Sequence, residues 1–455
     1  MSTNKVVPLT NSDQIAEMVV SGQSDLTHST GWSGGETKSA DDGKRSDFSL
    51  VLHCTKCDVN TSGMYEHIDA KERRCPSCHS LLMYCPSCKH LTSATEKFSV
   101  LTCDRCGTDF VTNTTIEYLS SRDRSSRDIV LSGVRAVGPM HLGNYFGAIS
   151  QFVEYQRGDN LCMYFVADWH PLTNYGDSKN ISSNVIGMAT DYLAAGLNPE
   201  RSVIYAQSSV PEIAEIALYL SMIQAKNRLE DLPTVKSIVR RGGVMSMGHL
   251  YYPVLMAADI LGTKATVVPV GSDQVPNIEL ARELGNKFNE MFGHVFTIPR
   301  AGPRLIRVPG LSGRKMDESD ETPSIFLNDD VGTIRSKYLK FGVTDAGRTK
   351  KDARGNPDAC VSVYPVYKLI HESDRNRLGT VEEGCRSGKR GCVECKLELA
   401  GEIDALIAPF RERRSELAKQ DKYVREVLHF GGIKAREIIR HTLEEMREKI
   451  GIVSV

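Results

Sequence analysis

What this 455-residue chain lacks narrows its range first. It has no run of eighteen apolar residues, so no segment is expected to cross a membrane as a helix. Its first 44 residues hold no arginine and no apolar core, unlike a secretory signal or an organelle transit peptide, and a cytoplasmic protein is expected. Net charge is nearly absent: 56 Lys and Arg stand against 57 Asp and Glu, so the total points to no polyanionic partner. With 40% hydrophobic and 25% charged residues, the composition is that of a globular protein, long enough for two or three domains with their own cores.

The charge that cancels overall is unevenly spread. Between Arg335 and Arg354 seven Lys or Arg face only Asp345 and Asp352. Such a run is either a solvated basic surface or a phosphate-contacting one.

Cysteine is in surplus, and twelve of the thirteen are clustered. The exception, Cys162, sits between Leu161 and Met163 and reads as a small core hydrophobe. In a reducing compartment, thiols two residues apart hold metal more readily than they form disulfides. Cys54, Cys57, Cys75, Cys78, Cys85, Cys88, Cys103 and Cys106 form four such pairs, enough for two four-cysteine zinc ribbons filled by successive or interleaved pairing. Such ribbons serve either as scaffolding or to dock RNA or protein. A second set, Cys360, Cys385, Cys392 and Cys395, has 24, 6 and 2 intervening residues; by spacing alone it could hold zinc.

Composition divides the chain. Residues 1–50, rich in Gly, Ser, Thr and Asp from position 21, form a flexible leader. Residues 51–118 are the tandem zinc-ribbon module and 119–128 a polar linker. Next, the apolar runs Ile129–Leu131, Leu161–Ala167, Ser202–Ala206 and Thr266–Val270 alternate with amphipathic stretches, one marked by Ala281, Leu284, Phe288 and Met291. Parallel strands joined by crossover helices are predicted: an α/β fold with a Rossmann-type, doubly wound parallel sheet over 129–312. Beyond it, 313–455 reads as a mobile loop followed by a helical domain.

Two places in the sheet carry chemistry. The first strand runs through Gly133 and Gly138 into His141-Leu142-Gly143-Asn144, a strand–turn–helix start that aims backbone N–H groups at whatever sits above it. A structural turn with a helix cap would read the same; phosphate is the functional alternative. Further on, Tyr252-Pro253-Val254-Leu255-Met256-Ala257-Ala258-Asp259 buries an acid in an apolar helical run. That carboxylate must find a donor within the protein or on a ligand.

These segments together resemble the class I tryptophanyl-tRNA synthetases over roughly residues 129–450. HLGNYFGAI at 141–149 is similar to their His-Ile-Gly-His signature, and Gly271-Ser272-Asp273-Gln274 to their Gly-x-Asp-Gln turn. The entry motif of the related tyrosyl enzymes is absent before His141. The resemblance implies that His141 and Asn144 bind and stabilise ATP phosphates, with Gly143 and Asp273 in the same site. It also implies that Tyr252 and Gln274 hold the substrate ammonium, that Met256 lines the ring pocket, and that Asp259 accepts the indole N–H. Lys315, Met316 and Ser319 match the family's mobile Lys-Met-Ser-Lys-Ser loop. There Asp317 and Glu318 depart from it, and the second lysine has become an acid.

The implied reaction is attack of the tryptophan carboxylate on the α-phosphate of ATP–Mg²⁺, then transfer to tRNA(Trp), in a homodimer. The C-terminal cysteines are similar to those of a subgroup holding a [4Fe–4S] cluster near the tRNA anticodon, where the basic run at 335–354 could meet phosphates. The altered loop keeps open a synthetase-like paralogue that binds or adenylates tryptophan without charging tRNA. A third reading makes the ribbons part of a nucleic-acid-binding regulator.

Overall fold

The computed structural model describes residues 81–84, 87, 91–97, 100–103, 106–111, 127–173, 179–240, 245–314, 316, 324–348 and 353–453. Of the eight N-terminal cysteines only Cys103 and Cys106 lie among them; the leader, the other six thiols and most of the linker lie outside. The described part of the cysteine module is a four-stranded antiparallel sheet of β1 (Leu81–Tyr84), β2 (Leu91–Lys97), β3 (Val100–Cys103) and β4 (Asp109–Phe110) in sequential order. Cys103 ends β3 and Cys106 lies in the turn before β4, where Gly107 donates its N–H to the Cys103 carbonyl at 2.8 Å.

A second sheet carries the rest. Its strands β5 (Ile129–Arg135), β6 (Leu161–Ala167), β7 (Ser202–Ala206), β8 (Val267–Val268) and β9 (Arg300–Ala301) are all parallel, in the order β7-β6-β5-β8-β9. Every β6 residue after Leu161 is buried, as a strand covered on both faces requires. The doubly wound sheet expected from the apolar runs is therefore present, with β9 added. Two residues long and partly charged, β9 carries no apolar run to announce it. β8 is shorter than its run because Pro269 has no N–H for the ladder; its carbonyl instead accepts from Ser132 Oγ at 2.8 Å.

Asp128, directly before β5, is tied to the sheet by its side chain: its carboxylate accepts from Thr266 Oγ1 at 2.8 Å and Arg300 Nη2 at 2.9 Å. Because strand order reverses between β5 and β8, the crevice above their carboxyl ends is where such a sheet binds ligands.

After β5 comes one helical stretch of α1 (Leu142–Asn144), a π-helical turn (Tyr145–Ile149) and α2 (Ser150–Tyr155). There follow α3 (Ile181–Ala194), α4 (Glu212–Ile223), α5 (Lys226–Glu230), α6 (Pro233–Arg240), α7 (Met247–Gly262) and α8 (Val275–Phe292). Ala281, Leu284 and Phe288 on α8 are buried as expected, but Met291 is 53% exposed: the helix ends at Gly293, and its last turn leaves the core.

The C-terminal helices are α9 (Val331–Phe341), α10 (Tyr364–Ile370), α11 (Arg375–Ser387), α12 (Cys392–Leu417) and α13 (Asp421–Ile450). α13 lies directly on β7 because Gly431 and Gly432 present no side chain there; a Cβ at Gly431 would sit 1.8 Å from the Ile204 carbonyl oxygen. A backbone atom cannot yield cheaply. Gly431→Ala is expected to lower unfolding free energy by about 1–3 kcal/mol, read from urea denaturation.

Candidate active site

The turn after β5 is built by α3. Asn184 Nδ2 donates to the Ala136 carbonyl at 3.0 Å, the Tyr192 hydroxyl accepts from Val134 N–H at 3.1 Å, and Asp191 Oδ2 accepts from Met140 N–H at 3.4 Å. His141 then caps α1: Asn144 N–H donates to His141 Nδ1 at 3.1 Å, and His141 N–H to Asn144 Oδ1 at 3.0 Å. This reciprocal cap has a chemical consequence. With Nδ1 accepting, a neutral ring carries its proton on Nε2, and with Oδ1 accepting, Asn144 keeps its Nδ2 hydrogens. Both residues thus turn donor groups away from the backbone, which suits phosphate oxygens. Tyr145–Ile149 then widens into the π-helical turn, a local departure that clusters at functional sites.

Gly143 is required by crowding: a Cβ would lie 2.8 Å from the His141 ring and 3.4 Å from Met316 Cβ. Met316 itself is buried, its N–H donating to the Val308 carbonyl at 3.3 Å. Chain beyond the loop returns to the same turn, with Leu142 N–H on the Ile325 carbonyl and Leu327 N–H on the Met140 carbonyl, each at 2.9 Å. Lys315, Asp317, Glu318 and Ser319 lie outside the described residues.

Asp259 is 1% exposed, and burial pushes its carboxyl above the usual carboxylate range, opposed by His170 and Gln207. Oδ2 accepts from Gln207 Nε2 at 2.7 Å and lies 3.9 Å from His170 Nε2. Oδ1 is buried without a hydrogen-bond partner. An orphaned buried acceptor costs about 1–3 kcal/mol until a donor arrives. Tyr252 and Met256, seven and three residues earlier on α7, fall on the same helical face and are half-buried, with Trp169 packed on the same core.

Gln274 and Asp273 meet where β8 gives way to α8: Gln274 Nε2 donates to Asp273 Oδ2 at 2.7 Å, and Asn277 Nδ2 to Gln274 Oε1 at 2.9 Å. Asn277 is fully buried, and its Oδ1 has no hydrogen-bond partner.

Sequence reasoning missed Gln207 and the Asp168–His170 segment. Gln207 is fully buried; its Oε1 accepts from Trp169 N–H at 3.3 Å, which turns Nε2 towards Asp259. Asp168 accepts from both the N–H and the hydroxyl of Ser208. The available signal was position: both segments directly follow the carboxyl ends of β6 and β7.

In the helical part, Cys360, Cys385, Cys392 and Cys395 all line one cavity with Tyr364 and Tyr367. Arg390 Nε donates to Cys395 Sγ at 3.0 Å, and Arg348 Nη1 approaches Cys392 Sγ at 3.8 Å. Burial raises the Cys360, Cys385 and Cys395 thiols, against the pull of Arg348 on Cys385 and of Arg390 on Cys395. No group of three or more His, Cys, Asp or Glu among the described residues closes to metal-holding geometry. Two members of the basic run face inward: Arg348 towards the thiols, and Lys337 onto Asp329 Oδ2 at 2.6 Å. Lys350 and Lys351 lie outside the described residues.

Residues 124–408 match the family model for tRNA synthetases class I (W and Y). The chain is 39% identical over 331 residues to the tryptophan–tRNA ligase of Thermotoga maritima, covering 71% of this chain and 99% of that one. Against the tryptophan–tRNA ligase of Aquifex aeolicus it is 33% identical over 397 residues, with 71% and 99% covered. Among solved structures it is similar to tryptophanyl-tRNA synthetase from Campylobacter jejuni complexed with ADP and tryptophan, at TM-score 0.61 and 32% identity over 72% of this chain and 100% of the other. The synthetase from Mycoplasma pneumoniae gives TM-score 0.63 and 25% identity, over 72% and 98%.

Proposed function

The chain belongs to the class I tRNA synthetases of the tryptophan and tyrosine family, and from that membership we infer that it is a tryptophan–tRNA ligase. It activates tryptophan with ATP and Mg²⁺ and transfers it to tRNA(Trp). One observation carries the choice of amino acid: the buried, unpartnered Oδ1 of Asp259, an acceptor matched to the single ring donor of tryptophan. Phenylalanine offers no donor there and would leave the carboxylate unpaired.

The roles proposed for the individual residues are those that the resemblance to the family implies. His141 Nε2–H and Asn144 Nδ2 donate to ATP phosphates at the turn, with Gly143, Asp273 and Met316 around the nucleotide and Lys315 and Ser319 contributed by the loop. Tyr252 and Gln274 hold the ammonium, and Met256 packs on the indole. The reaction is an in-line attack of the tryptophan carboxylate on the α-phosphate, accelerated by holding both reactants in register and by stabilising charge on the departing pyrophosphate. Tryptophan-dependent exchange of pyrophosphate into ATP by pure protein tests this; absence of exchange contradicts it. The acidic Asp317 and Glu318 favour a second reading, a paralogue that binds or adenylates tryptophan without charging tRNA; exchange separates one that only binds, and attachment of tryptophan to tRNA separates one that adenylates.

For the four C-terminal cysteines the reading is a [4Fe–4S] cluster. A tetrahedral zinc draws four sulfurs to about 2.3 Å from one point. Here all four cysteines line one cavity of the helical part, and four thiolates are also the ligand set that a [4Fe–4S] cluster takes. When bound, the cluster supplies a structural crosslink between α11, α12 and the Cys360 segment. Cys392→Ser is expected to abolish bound iron and its visible absorbance in anaerobically prepared protein, as elemental analysis reads; stoichiometric zinc in its place contradicts the assignment. The paired cysteines before 107 are read as zinc ribbons docking RNA or protein or serving as scaffold, beside a leader over 1–50 and a linker over 119–128, with the catalytic sheet over 129–312 and the loop and anticodon-binding helices over 313–455. No helix among the described residues is long and apolar enough to cross a membrane, and a cytoplasmic place is proposed. Exposed Leu218 and Met222 on α4 and Met247 at the start of α7 support a homodimer.

A further inference from the structure

One buried ion pair ties the helical part of the molecule to the nucleotide turn. Asp191, on α3, is 1% exposed. Its Oδ1 accepts from Arg414 Nε at 2.5 Å, 223 residues away in sequence, while its Oδ2 accepts from the N–H of Met140, the residue before His141. A carboxylate in that position is costly unless both oxygens are used.

Arg411, one turn earlier on α12, grips the other side of the same site. Its Nη1 donates to the Asp329 carbonyl at 2.9 Å, and Asp329 Oδ2 accepts from Phe326 N–H at 2.9 Å. The segment around Phe326 is the one that pairs with the nucleotide turn through Ile325 and Leu327. Two arginines one turn apart therefore hold both halves of the turn: Arg414 through Asp191, Arg411 through Asp329. The same helix begins with Cys392 and Cys395, and its 26 residues span about 39 Å. Pro409 removes one backbone donor within it, just before the two arginines.

We propose that Asp191 and Arg414 are a positioning pair that sets the His141 turn for ATP. The proposal rests on the ligase reading above. Neither residue touches substrate. Loss of Arg414 leaves Asp191 charged and single-handed, and the carboxylate then shifts or takes up a proton instead of holding Met140 N–H. The tryptophan pocket, built from α7 and from Gln207, does not depend on the pair.

Calorimetry separates these effects, with tryptophan alone and with a non-hydrolysable ATP analogue in the presence of tryptophanamide, on wild type, Arg414→Met and Asp191→Asn. The expected result is a roughly tenfold or greater loss of nucleotide affinity in both variants, with tryptophan affinity within about twofold of wild type. Arg414→Lys, which keeps the charge, should lie between them. Unchanged nucleotide affinity in both folded variants overturns the proposal alone. Parallel loss of tryptophan and nucleotide binding in all three variants also overturns it, because the pair is then general packing. A wild type that binds neither ligand removes the ligase reading and the proposal together.

Discussion

Asp259→Ala is expected to weaken tryptophan binding by about a hundredfold or more, with the fold unchanged by circular dichroism. The substitution removes two things at once. It takes away the buried Oδ1 that has no protein donor, and it strands the Gln207 Nε2 hydrogens that Oδ2 now accepts. The two contributions can be told apart with 1-methyltryptophan, whose ring nitrogen has no hydrogen to give. Wild type should bind it far more weakly than tryptophan, whereas the alanine variant should bind both alike, because no acceptor remains to tell them apart. Equal binding of the two ligands by wild type would mean that Asp259 reads something other than the indole nitrogen.

Glu318→Lys should raise tryptophan-dependent pyrophosphate exchange by about a hundredfold. The reasoning is electrostatic: negative charge grows on pyrophosphate as the α-phosphate is attacked, and an acid in the matching position of the loop repels it. Arg314, directly before Lys315, supplies a cation of its own. If Arg314 already does the work of the missing lysine, the variant gains much less, and Arg314→Gln should then abolish exchange in the wild-type background. A variant that gains nothing while Arg314→Gln also loses nothing would show that this loop does not meet the pyrophosphate.

The central sheet was legible because strands buried on both faces leave uninterrupted apolar runs, as β6 does from Cys162 to Ala167. β9 was not, since two residues with a charged side chain leave no such trace. Asp259 stood out as an acid inside an apolar helix. Its partner Gln207 did not, because a glutamine after a strand looks like any loop residue until the fold brings it 2.7 Å from a carboxylate. Asp191 illustrates the same limit more sharply: its partners lie 51 and 223 residues away, and no local pattern encodes either distance. The reciprocal cap of His141 and Asn144 is the opposite case. Three residues apart at a helix start, these two side chains are within capping reach by local geometry alone.

The chain's assignment as a ligase is tested most directly by aminoacylation itself: anaerobically prepared protein, total tRNA, ATP, Mg²⁺ and labelled tryptophan, with acid-precipitable product measured over time. Tryptophan should become attached to tRNA only when ATP is present, and unlabelled phenylalanine or tyrosine in excess should not compete. Adenylate formation with no label on tRNA, or label that tyrosine displaces, would contradict it.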